Sequence, residues 1–208
     1  MMHPRQQSRS SAPPPVCRPA VFLDRDGVIN RDSPDYIKSW SEFEFLPGVL
    51  DALAELTRRE YAIYVISNQS AVGRGLISPA ELERIFDGMR RVIASHGGRI
   101  TDVFSCPHRP DEGCACRKPR PGLIAEACRR HPVDLCRAVM VGDSARDVAC
   151  ARNAGCRYAV RIAPETAGPL PQENPLHAEP DFTAPDLARA ADWIIHHLDS
   201  PCPAHANT

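Results

Sequence analysis

What the chain lacks narrows its roles first. It has no apolar run long enough to span a bilayer. Its first 19 residues hold Arg, Ser, Gln and the run Pro13-Pro14-Pro15, without the apolar segment of a secretory signal. They also lack acids, but the prolines oppose the amphipathic helix of a transit peptide, so this leader reads as a disordered tail on a cytoplasmic protein. An excess of one charge is missing too: 25 Lys and Arg face 26 Asp and Glu, a formal net charge of -1. With no interleaving of basic and aromatic residues, neither nucleic acid nor a membrane surface is an expected partner, and a small polar ligand is. Nine cysteines are many, and the number is odd, but 43% apolar residues can build a core unaided. Thiols and metal ligation are therefore favoured over a disulfide framework.

Against this background one stretch stands out, Ala20 to Asn30, read Ala-Val-Phe-Leu-Asp-Arg-Asp-Gly-Val-Ile-Asn. A short apolar run ending in charge reads as a buried strand of a parallel sheet, and ligands sit beyond the carboxyl ends of such strands. Residues two apart share a face, so Asp24 and Asp26 are expected to converge while Arg25 points elsewhere. Crowded carboxylates call for a shared proton or a hard cation such as Mg2+, unless they are simply solvated acids at a strand end.

The remaining chain alternates strand and helix patterns. A polar loop over Asn30 to Trp40 precedes a helix opened by Pro47-Gly48 and running to about Arg59, then a strand at Tyr61 to Ile66 that stops at Ser67-Asn68-Gln69-Ser70. Ser78-Pro79-Ala80-Glu81 has the form of a capping box and starts a helix closed by Gly97-Gly98. Strands follow at Ile100 to Ser105, Ala138 to Val141 and Tyr158 to Ile162, with helices over Pro121 to His131 and Arg146 to Ala154 between them. Ala163 to Pro180 reads as irregular, and Pro185 to Leu198 as a last amphipathic helix. The expectation is one α/β domain over residues 20–199, a doubly wound (Rossmann-like) parallel sheet between two tails, acting as a monomer. The gaps between motifs leave no room for a separate cap domain.

Cys106-Pro-His108 and Cys114-Ala-Cys116 put three thiols and an imidazole within eleven residues. Such a set fills a tetrahedral Zn2+ site and leaves no position for water, which makes the metal structural; unligated thiols are the alternative. Cys128, Cys136, Cys150, Cys156 and Cys202 have no partner at ligand spacing and read as ordinary thiols.

Four strand ends thus carry, in order, Asp24-x-Asp26, Ser67, Lys118 after the cysteine loop, and Gly142-Asp143 with Asp147. That ordered set resembles the haloacid dehalogenase superfamily of phosphotransferases, over roughly Ala20 to Ile162. The resemblance implies Asp24 as nucleophile, Asp26 as general acid and base, and Ser67 and Lys118 as phosphate ligands. It implies Asp143 as a further Mg2+ ligand beside the two motif acids, and Asp147 as a support for the metal shell or for Lys118.

Within the superfamily, Asp24-Arg-Asp-Gly27, Ser67-Asn-Gln-Ser70 and the Cys/His loop before Arg117-Lys118 look like the branch of the heptose bisphosphate and histidinol-phosphate phosphatases. Asn68 to Gly75 and Arg117 to Gly122 tilt the reading to the heptose side. A phosphorylated sugar is then the expected substrate, with Asp32, Tyr36, Asn68, Gln69, Ser70 and Arg117 as contacts. The forked guanidinium of Arg117 suits a second phosphate. Competing readings are a histidinol phosphatase, a polynucleotide 3'-phosphatase, and a zinc-stabilised binding module without catalysis.

Overall fold

Residues 20–23 have no exposed surface, because they form a strand covered on both faces. The computed structural model describes residues 18–164 and 178–198. The leader through Cys17, the stretch over 165–177, and Cys202 with the C-terminal tail lie outside the described residues. In chain order the elements are β1 (Arg18–Leu23), α1 (Val49–Arg58), β2 (Ala62–Asn68), α2 (Ser70–Gly73), α3 (Pro79–Ser95), β3 (Asp102–Cys106), α4 (Gly122–Arg130), β4 (Val133–Gly142), α5 (Ala145–Ala154), β5 (Tyr158–Ile162), β6 (Phe182–Ala184) and α6 (Leu187–Leu198).

The six strands pair in parallel in the order β3-β2-β1-β4-β5-β6. Alternation along β1 feeds two apolar layers. Val21 and Leu23 pack with Leu53 and Leu56 of α1, Phe86 and Met89 of α3, and Ile194 of α6. Ala20 and Phe22 pack on the other side with Leu123 and Ile124 of α4 and Val148 of α5. Both faces of the sheet are thus removed from water, which is why its strands read as apolar runs.

The winding reverses at β1. Its neighbours are β2 on one side and β4 on the other, with Leu23 opposite Val65 and Val141. This is the switch point at which open α/β sheets form a crevice beyond the strand ends. Among the described residues no helix is long and apolar enough to cross a membrane.

Several boundaries differ from the sequence reading. β1 begins at Arg18, inside the segment read as tail. β2 runs on through Ser67 and Asn68, and β4 starts at Val133, five residues before Ala138. The early part of β4 is half-buried and contains Asp134 and Arg137, so it carries no apolar run. β6 has three residues, too few to leave a period, and its pairing with β5 defines it.

Candidate active site

Three strand ends and one loop deliver the site. β1 stops at Leu23, and Asp24 to Gly27 turn sharply; Gly27 takes φ 78, and a Cβ there would lie 2.3 Å from Asp143 Oδ2. Glycine is therefore what lets the β1 turn approach the end of β4. Gly142 does the same for Asp147, whose Cβ would be 2.1 Å from an added methyl. α5 then begins with a reciprocal cap, Asp147 Oδ2 accepting from the Ser144 hydroxyl at 2.5 Å and the Ser144 N–H at 3.1 Å.

Asp24, Asp143 and Asp147 each offer an oxygen within 4.8 Å of the others. Lys118 reaches between them, its Nζ 2.8 Å from Asp24 Oδ1 and 2.6 Å from Asp147 Oδ1. Burial works against the charge on Lys118, but Asp147 and Asp24 outweigh it and hold the ammonium protonated well above its usual range. Burial is also the main reason the carboxyl of Asp24 is pushed up to about 7 and that of Asp143 to about 6; neighbouring acids add to both, and Lys118 offsets part. One buried cation among three carboxylates leaves a deficit of positive charge. An all-oxygen donor set of this size fits Mg2+. Both oxygens of Asp147 have partners, Lys118 and Ser144, so Asp147 anchors Lys118, and Asp24 and Asp143 are the residues that would hold the ion.

The Asp26 side chain departs from expectation. Its carboxylate is not part of that cluster. It accepts from Arg25 (Nη2 at 2.7 and 2.9 Å, Nε at 3.1 Å), from Asn30 Nδ2 at 2.9 Å and from Gln69 Nε2 at 2.8 Å. Arg25, read as pointing away, is 1% exposed and lies over the Phe86 ring at 5.8 Å. Asp24 and Asp26 do share the cleft while Arg25 stays out of it, but because the strand has already ended the Arg25 guanidinium folds back onto Asp26.

A cleft of about 310 Å3 opens above these groups. Asp24, Asp26, Lys118, Asp143 and Asp147 form its floor, and Asp32, Tyr36, Asn68, Ser70 and Arg117 stand around it. Tyr36 takes φ 63, an uncommon conformation for a tyrosine, at a turn closed by its N–H to Ser33 O at 3.1 Å. Two residues read as substrate contacts have other partners. Gln69 is 4% exposed and absent from the cleft wall; its amide joins Asp26 to the Ser67 hydroxyl, each at 2.8 Å. Asn68 borders the cleft, but its amide pairs with the backbone of Lys118, accepting from N at 3.0 Å and donating to O at 3.3 Å. Ser67 is itself 1% exposed and does not border the cleft.

The cysteine loop leaves the end of β3. Cys106 Sγ, His108 Nδ1, Cys114 Sγ and Cys116 Sγ converge, with S···S separations of 3.2 to 3.5 Å and S···N separations of 3.3 and 3.5 Å. Zn–S bonds of about 2.3 Å in a tetrahedron require edges of about 3.8 Å, so a small expansion suffices to seat Zn2+. Burial pushes the Cys106 and Cys116 thiols up, while their hydrogen bonds hold Cys114 down despite its own desolvation. All seven described cysteines are free thiols. The loop is tied to the site: Arg117 Nη1 donates to His108 O at 3.2 Å, and Arg120 donates to the carbonyls of Gly113 and Cys114.

Comparison with known proteins agrees with this geometry. The HAD-hydrolase-like family model matches residues 115–190. D-glycero-beta-D-manno-heptose-1,7-bisphosphate 7-phosphatase of Bordetella bronchiseptica is 48% identical over 136 residues, covering 65% of this chain and 76% of that protein. The Thermosynechococcus vestitus D-glycero-D-manno-heptose-1,7-bisphosphate 7-phosphatase is 36% identical over 193 residues, covering 87% and 97%. The crystal structure of the B. bronchiseptica D,D-heptose 1,7-bisphosphate phosphatase with magnesium and phosphate superposes with a TM-score of 0.75 at 40% identity, over 85% of this chain and 98% of that one. The chain belongs to the D-glycero-D-manno-heptose-1,7-bisphosphate 7-phosphatase family of haloacid dehalogenase-like hydrolases, enzymes that cleave phosphate monoesters.

Proposed function

We propose that this chain removes the 7-phosphate of D-glycero-D-manno-heptose 1,7-bisphosphate by way of an aspartyl-phosphate. The observation that carries the reading is the position of Lys118, locked between Asp24 and Asp147 at the floor of the cleft. Oδ1 of Asp24 accepts from the Arg25 N–H and faces Lys118, so it is the oxygen on the cation side, and Oδ2, which carries neither contact, is the one that attacks. In the first step the Oδ2–P bond forms, the bond from phosphorus to the sugar oxygen breaks, and Asp26 gives that oxygen a proton. In the second, water attacks phosphorus, Asp26 takes its proton, and the Asp24–phosphate bond breaks to release inorganic phosphate. The chemistry that Mg2+ supplies when held by Asp24 and Asp143 is charge against which an anionic nucleophile can meet an anionic phosphate. Lys118 offers the same to the equatorial oxygens.

Arg117, oriented through His108 by the zinc loop, faces the cleft where the second phosphate would lie. Zn2+ in that loop is structural, because its four ligands complete the coordination shell. Tyr36, Asp32 and Ser70 border the sugar.

Phosphate release from heptose 1,7-bisphosphate and from histidinol phosphate, measured side by side with Mg2+, tests the proposal. The expected result is a clear preference for the heptose. A preference for histidinol phosphate would overturn it.

A further inference from the structure

Next to the catalytic cleft lies a second groove of about 330 Å3. The two clefts differ sharply in charge. Five carboxylates border the first, whereas Arg117, Lys118, Arg120 and Arg146 border the second and no acid does. Arg117, Lys118 and Arg146 line both, so they form the seam between an acidic floor and a basic annex.

The four cations are not equally available. Lys118 is held by Asp24 and Asp147, and Arg120 is turned onto the carbonyls of Gly113 and Cys114. Arg117 spends one nitrogen on His108 O. Arg146, exposed in the first turn of α5, has no hydrogen-bond or ion-pair partner among the described residues. A groove that gathers guanidinium groups without a counter-charge is complementary to a multiply charged anion, and the planar fork of arginine matches phosphate oxygens two at a time.

We infer that Arg146 is a specificity residue: its free guanidinium joins Arg117 in receiving the second, non-reacting phosphate of the substrate. This rests on the proposed bisphosphate substrate and adds to it a residue that neither the Asp143-to-Asp147 motif nor the cysteine loop assigns. The acidic floor takes the reacting phosphate with its metal, and the basic seam takes the other, so the charge pattern fixes which end of the sugar reacts. Both phosphates then bind without competing for Lys118.

The test is the ratio of kcat/KM on heptose 1,7-bisphosphate to kcat/KM on heptose 7-phosphate, for the wild type, Arg146→Gln and Arg146→Lys. The ratio should fall about tenfold in Arg146→Gln, through KM of the bisphosphate, as loss of a charge-assisted contact requires. Arg146→Lys should lie between the two, since it keeps charge and loses the fork. Inhibition by the sugar 1-phosphate product, which retains the second phosphate, should weaken in parallel. A wild-type ratio near one would remove the bisphosphate reading itself. A preserved wild-type preference that Arg146→Gln leaves unchanged would overturn the role of Arg146 alone.

Discussion

The guanidinium of Arg25 closes on the carboxylate of its neighbour Asp26, with Nη2 2.7 and 2.9 Å from the two oxygens. Adjacent residues on a strand point apart; these two meet because β1 ends at Leu23 and the chain turns. The pair is buried on the arginine side and exposed to the cleft on the other. In the proposed mechanism Arg25 is thus a positioning residue that fixes where Asp26 would deliver a proton.

Arg25→Lys should therefore lower kcat about tenfold or more with little change in KM, because displacement of a proton donor costs the transition state rather than binding. Arg25→Ala should in addition destabilise the fold by about 3 kcal/mol, since it strips the partner from a buried pair. Steady-state kinetics with a parallel thermal melt separate the two effects; an unchanged kcat in Arg25→Lys would contradict the assignment.

Asp24 and Asp143, the proposed Mg2+ ligands, make stability depend on pH. Burial first, then the nearby acids, push their carboxyls up to about 7 and about 6. Between the ordinary carboxylate range near 4 and those values the folded state keeps protons that the unfolded state has released, so these groups stabilise the metal-free protein below that window and lose the contribution as pH rises through it. Mg2+ competes with the same protons. The rise in Tm on adding Mg2+ should be larger at about pH 8 than at about pH 5.5; equal rises would show that the carboxylates are not the ligands.

Removal of the Zn2+ proposed for the cysteine loop should act at a distance from the chemistry. Arg117 and Arg120 both donate to loop carbonyls, so a loosened loop frees them. Cys116→Ser, or exposure to a zinc chelator with Mg2+ retained, should lower Tm and raise KM by more than it lowers kcat. Stoichiometric zinc by elemental analysis, lost in Cys116→Ser, is the accompanying measurement. Full activity and an unchanged melt without zinc would refute a structural role.

The strand ends were legible in the sequence because each joins an apolar run to a short polar signature: Asp24 after β1, Ser67 in β2, Asp143 after β4. The cysteine loop was legible from ligand types alone. What escaped depends on partners far along the chain. Gln69 reaches Asp26 across 43 positions and Asn68, which borders the cleft, reaches Lys118 across 50, partners that no local pattern announces. The contact of Arg25 with Asp26 escaped because where β1 ends, and so where alternation stops, is set by Gly27 and by the close approach of Asp143. β6 is defined by β5 beside it rather than by its own three residues.

Asp24 bears the central claim, and its replacement by asparagine is the most direct measurement. Asp24→Asn keeps the shape and removes the attacking oxygen, so phosphate release from heptose 1,7-bisphosphate with Mg2+ should fall at least about a thousandfold while the protein stays folded. Turnover within about tenfold of the wild type, on a sample whose melt and circular dichroism are native, would contradict the account.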